Sequence, residues 1–287
     1  MSERVSIFRA VPQKAVLVVV HGMQEHRGRY AAFAQYLSER GVSVVTFDLP
    51  GHGEGLAKEE YGWFGEKDGW QTLVDALSEH VALAKKELGE PVYVIAHSMG
   101  SMIVRSWLRD HNTEIAGCIL TGAPFYNPAA GVGKVLCRAL EGKGEKGRQM
   151  LDRIAMSSYS KAVENARTPS DWLSFNEEDV DAFIEDPACG IPFTPRGYYD
   201  LLYGLKDMHR TDYKAENSRL PILFLYGKED PCAGYDKGID ASIKALRKAG
   251  YTWINRHGYP HMRHEILQGT GKEEVWNDVI AFTTGRI

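Results

Sequence analysis

The 287-residue chain has little cysteine: Cys118, Cys137, Cys189 and Cys232 lie far apart, with no Cys-x-x-Cys spacing. That argues against a disulfide framework and a cysteine-rich zinc site, and predicts reduced thiols. Charge of one sign is also lacking. The 34 Lys and Arg residues against 38 Asp and Glu leave a net charge of −4, which gives no field to attract nucleic acid or an anionic membrane. No apolar run is long enough to span a bilayer. The N-terminal MSERVSIFRA has no apolar core of a signal peptide. The expectation is a cytoplasmic protein with no nucleic-acid partner. No internal repeat is present, and no residue grouping calls for a metal or a cofactor.

What is present is an alternation of two periodicities. Residues 3–9 read as a short edge strand. The β-branched run Ala15 to Val20 reads as a strand buried on both faces, and further strands are predicted at 42–49, 91–96, 117–121, 221–226 and 252–256. Helical spacing fills 30–40, 69–88, 101–109 and 235–249, and a last helix begins near Lys272. Strand–helix alternation predicts a mostly parallel sheet covered by helices on both faces. It breaks at Pro124. From there to Arg219 the chain holds helical stretches (134–141, 148–156, 176–185, 197–206) and no buried strand. The predicted organisation is one core, residues 1–123 and 220–287, with a helical cap inserted at 124–219. The insertion is longer than an ordinary connection and falls where ligands bind in open α/β sheets.

The chemistry centres on VIAHSMGS, residues 94–101, where an apolar strand meets a helix at an abrupt turn. A serine held on such a turn stands clear of the sheet edge, provided that its neighbours at −2 and +2 are small. Here they are Ala96 and Gly100 around Ser98. A serine hydroxyl needs a base, and the base needs an orienting carboxylate. The carboxylate is expected at Asp230, just past the strand ending at Tyr226, with Glu229 as its competitor. The base is sought among His257, His261 and His264; His264, at the far end of the loop, is preferred and His261 comes second. An oxyanion needs two N–H donors. One is Met99, after the nucleophile, and the other is Met23, in the loop after the first buried strand.

The segments HGMQEHRGRY (21–30), DLPGHG (48–53), AHSMGS (96–101), GKEDP (227–231) and MRHEIL (262–267) resemble the monoacylglycerol lipase and lysophospholipase group of α/β-hydrolases, which also holds proteins labelled serine aminopeptidases. Asp171-Trp-Leu-Ser and Asp186-Pro-Ala-Cys-Gly190 resemble cap segments of that group. The resemblance implies Ser98, Asp230 and His264 as a catalytic triad, Met23 and Met99 as oxyanion donors, and Glu25 and Arg29 at the polar end of the site. Ala96 and Met23 depart from the group's usual residues, and Met23 is expected to narrow the acyl entrance. The implied activity is hydrolysis of a monoacyl lipid ester (a monoacylglycerol or lysophospholipid) or another small ester without a cofactor, with transient membrane contact through the cap. Large apolar residues of the insertion, among them Met156, Trp172, Leu173 and Phe183, fit a roof over an acyl chain. The alternatives are a short-chain carboxylesterase, an aminopeptidase using cap acids such as Glu164, Glu177, Glu178 and Asp179 to hold an ammonium, and a binding protein without catalysis. The complete triad weighs against the last.

Overall fold

A computed structural model describes residues 4–126 and 130–285. Residue 3 of the expected edge strand and 127–129 of the expected cap lie outside the described residues. Among those described, the strands β1 (Val5–Phe8), β2 (Ala15–Val20), β3 (Val42–Phe47), β4 (Val92–His97), β5 (Gly117–Thr121), β6 (Ile222–Gly227) and β7 (Ile254–Tyr259) form one sheet in the order β1-β3-β2-β4-β5-β6-β7. β1 runs antiparallel to β3, and every other neighbouring pair is parallel.

Alternation along β2 explains its continuous apolar run. Val16, Val18 and Val20 pack on one face with helices α2 (Gly69–Leu88) and α3 (Met99–His111). Ala15, Leu17 and Val19 pack on the other with α1 (Ala31–Ser38) and α9 (Lys272–Thr283). Both faces are covered, so neither tolerates polar residues. α2 buries Trp70, Leu73, Val74, Leu77, Val81 and Ala84, the i, i+3, i+4 stripe of a surface helix, and stops at Gly89.

Between β5 and β6 the described chain is helical: α4 (Ala130–Leu140), α5 (Gly144–Lys161), α6 (Glu177–Glu185) and α7 (Pro195–Asp207). Asn176 caps α6 by accepting from Glu178 N–H, and Thr194 caps α7 from Gly197 N–H with Pro195 in the first turn. α8 (Tyr235–Lys248) joins β6 to β7. The last strand differs from its expected span. β7 begins two residues later and runs on to Tyr259, which puts His257 in a strand rather than in a loop. The strand order reverses at β2 and β4, so the loops leaving these two strands lie side by side at the sheet's C-terminal edge, the crevice that open α/β sheets use for ligands.

Candidate active site

Ser98 sits at the turn between β4 and α3 with φ 50° and ψ −118°, a conformation that costs a non-glycine residue roughly 1–3 kcal/mol. The strain is held from both sides. Ser98 N–H bonds Thr121 O at 2.9 Å, and Ser98 O accepts from Ser101 N–H and Ser101 Oγ–H. Gly100 makes the turn possible: a Cβ there would stand 2.4 Å from Val20 O and 2.7 Å from His21 O. Met99, the first helical residue, has one of the N–H groups that a helix leaves without an intrahelical acceptor.

Asp230 follows β6 and is fully buried; its Oδ1 accepts from Cys232 N–H at 2.8 Å. Its Oδ2 lies 2.9 Å from His264 Nδ1, and His264 is also buried. Burial alone would push the His264 pKa down, but the Asp230 charge and hydrogen bond outweigh it and hold it above the ordinary histidine value. The other candidates fall elsewhere. His261 is exposed and donates its backbone N–H to Glu229 Oε1, while His257 is exposed on β7 beside Asp278. His97, next to the serine, is buried with its ring 4.7 Å from that of His264; burial first, then His264, drives its pKa well down. Gly122 leaves the space these rings need, since a Cβ there would come within 2.8 Å of both.

Glu25 and Arg29 belong to a buried ion cluster. Glu25 Oε1 accepts from Gly22 N–H at 2.5 Å and from Tyr30 Oη–H at 2.8 Å. Arg29 Nη1 reaches Glu25 Oε2 at 2.9 Å, and the guanidinium makes a two-pronged bond to Glu265 at 2.6 and 2.8 Å. Burial raises the Glu25 pKa against the opposing pull of Arg29. The cluster ties the loop after β2 to the residue following His264. Glu25 occupies the Gly22 N–H, while the Met23 N–H bonds no acceptor among the described residues.

Ser98, His264, His97, Met23, Glu25 and Glu265 line a cavity of about 120 Å³, closed on the far side by Met156, Trp172, Leu173 and Phe183 of the helical segment. The Trp172 ring lies 4.8 Å from that of His264 and 4.9 Å from Tyr159. Of the acids named as possible ammonium ligands, Glu164, Glu177, Glu178 and Asp179 do not line this cavity. Asp152, which the sequence reading passed over, does; it accepts from Gln24 Nε2 and Tyr198 Oη–H, both at 2.6 Å. Glu265 was also passed over as a site residue. An acid set against Ile266-Leu267 signals a buried pair, but its partner Arg29 is 236 positions away. One group among the described residues has metal-ligand types: His26, Asp186 and Cys189, with ligand atoms within 4.8 Å of one another. There His26 Nδ1 accepts from Gly28 N–H, which leaves Nε2 to donate to Asp186 at 2.8 Å, so the pair is joined as a hydrogen bond.

A strand–serine–helix turn and a buried His–Asp pair at the C-terminal edge of a mostly parallel sheet define an α/β-hydrolase, and the relatives make it a carboxylic ester hydrolase. The family model described as serine aminopeptidase, S33, matches residues 11–270, and the chain belongs to that family, within its monoacylglycerol lipase group. It is 30% identical over 279 residues to the monoglyceride lipase of Rattus norvegicus, covering 93% of this chain and 80% of that one. It is 26% identical over 273 residues to the phospholipase YtpA of Bacillus subtilis, covering 94% and 95%. A thermostable carboxyl esterase from Bacillus coagulans, solved with glycerol, superposes with a TM-score of 0.84 at 26% identity over 98% of this chain and 93% of that one. A Paleococcus ferrophilus monoacylglycerol lipase shares the fold at a TM-score of 0.73 and 21% identity, each chain fully covered.

Proposed function

We propose that the protein hydrolyses monoacyl lipid esters, monoacylglycerols or lysophospholipids, by an acyl-enzyme mechanism. Ser98 Oγ attacks the ester carbonyl. His264 takes its proton and returns it to the departing alcohol. Asp230 fixes the imidazole and offsets its charge, and the Met23 and Met99 N–H groups hold the oxyanion. Water, activated by the same histidine, then releases the fatty acid. The observation that carries this reading is the buried 2.9 Å His264–Asp230 pair, whose histidine lies with the strained Ser98 on one cavity. Within it, 124–219 act as a cap over a core of 1–123 and 220–287. The expected cytoplasmic location and transient membrane contact through the cap belong to the same proposal, and fractionation before and after a high-salt wash tests them. The relatives' names support the lipid ester as substrate class.

The cavity volume favours a second reading. About 120 Å³ does not enclose a long acyl chain together with a head group, so a lipid substrate must extend out of the cavity or widen it, and a short-chain ester need not. One series decides. Efficiency is measured on p-nitrophenyl esters from acetyl to octanoyl, on monoacylglycerols and lysophospholipids, and on aminoacyl amides. Each buried methylene is worth about 0.8 kcal/mol, so a lipid hydrolase gains steadily with chain length. A maximum at acetyl would leave the short-chain reading. Efficient cleavage of the amides would replace both with a peptidase. Loss of fluorophosphonate labelling in Ser98→Ala tests the nucleophile separately.

A further inference from the structure

Two turns beyond the active-site serine, α3 places Arg105 inside the protein, 2% exposed. Its Nη1 donates to Ser242 Oγ of α8 at 3.2 Å and to Met208 Sδ, at the end of α7, at 3.4 Å, a neutral hydroxyl and a weak acceptor. Its Nε and Nη2 are buried with no acceptor among the described residues, and no carboxylate among them bonds the guanidinium. Next to Met208, His209 is in the same condition: its Nε2 is buried and has no partner among the described residues. Burial first, then the nearby Arg105 charge, lowers His209 to about 3, so it stays neutral. Burial lowers Arg105 itself to about 10, which leaves it charged at neutral pH, helped only by the Tyr213 hydroxyl. Its partner Met208 belongs to the apolar core. Arg29 shows the contrast, since both its terminal nitrogens end on carboxylates. A buried guanidinium without a counter-charge is among the costliest arrangements in a protein interior.

We propose that the free fork of Arg105, with His209 alongside, forms an internal site for one small monoanion of chloride size, lodged between α3 and the end of α7. The charge needed is one unit. The free Nε and Nη2 form the adjacent prongs of one fork, while Ser242 accepts from Nη1 and holds the guanidinium from its other side. A halide accepts from any direction and brings no polar atoms that would need further partners in the core. Bound there, it offsets the charge of the guanidinium that itself joins the serine-bearing helix to α8 and the end of α7. The decisive experiment is anomalous diffraction from crystals of the whole protein grown in bromide. A bromide peak within hydrogen-bond distance of Arg105 Nη2 is expected; a water or no density there overturns the proposal. In solution, chloride added at constant ionic strength against gluconate should raise the wild-type Tm by about 5 °C, saturating with concentration. Arg105→Met should abolish that response, and an equal rise in both proteins overturns the site. If Arg105→Met does not fold, Arg105→Lys, which keeps the charge and loses the fork, takes its place, and a response equal to wild type overturns the site. No readout uses turnover, so failure here leaves the hydrolase reading untouched.

Discussion

The central strands and the helical segment between β5 and β6 bury their apolar side chains very differently. Val16, Val18, Val45, Val94, Ile119 and Leu225 have no exposed surface. In the helical segment Val135 is 71% exposed, Ile154 and Ile184 are each 50% and Phe175 is 49%. The strands have two covered faces and no freedom over what fills them. The helices need one face to pack and leave the other open, where natural selection can change it at little cost to the fold. The polar parts follow the same division. Ser98 and Asp230 are fixed by strand ends, the turn at Gly100 and backbone hydrogen bonds. Trp172 and Asp152 reach the cavity from helical-segment residues packed over it.

If that contrast is right, sheet-edge changes should be severe and outer helical changes mild. The largest effect is expected from Ser98→Ala and His264→Ala, each lowering kcat by about 10⁴-fold or more on an ester substrate, with circular dichroism unchanged. His261→Ala should stay within a small factor of wild type. A reversal between the two histidines would break the assignment of the base.

Arg29→Met comes next. It strands Glu25 and Glu265 in the interior, and breaking a buried pair costs about 3–5 kcal/mol, read as a lower denaturant midpoint. Loss of activity without loss of stability would show that the cluster serves the site alone.

The third test is pH. As the proposed base, His264 must be neutral to accept a proton, and its pKa is raised, so the acid limb of kcat/KM should have its midpoint above 6.5. Stability runs the other way. A raised folded-state pKa adds stability that is complete below the unfolded value near 6.5 and is lost as pH rises through the folded value. Between those two values activity therefore climbs while this contribution to stability falls. An acid limb below 6.5 would contradict the Asp230 pairing.

The smallest effects belong to the open helix faces. Val135→Ser and Ile154→Asn should change stability by no more than about 0.5 kcal/mol in urea melts. Ile154→Asn has a second readout, activity on long-chain monoacylglycerol in vesicles. A drop there with unchanged p-nitrophenyl acetate turnover would mark this face as the one that meets the lipid phase.

The sequence by itself determined what local pattern and turn chemistry can carry. A buried β-branched run places β2 at its observed residues, the stripe along α2 gives that helix both its ends, and the small residues around Ser98 announce its turn. After Pro124 the pattern gives helical spacing alone, and the described chain between β5 and β6 is α4 to α7. Tertiary structure alone decided between partners distant in sequence. Nothing local tells His264 from His261; the distinction is the buried approach to Asp230, 34 positions away. Nor does local pattern show that Arg29 pairs with Glu265, that Asp152 reaches the cavity while Glu177 does not, or that Arg105 lies in the core with Nε and Nη2 unpartnered. Periodicity reports which face of an element is apolar. The pairing of charges across the molecule depends on how the elements dock, which no single element encodes.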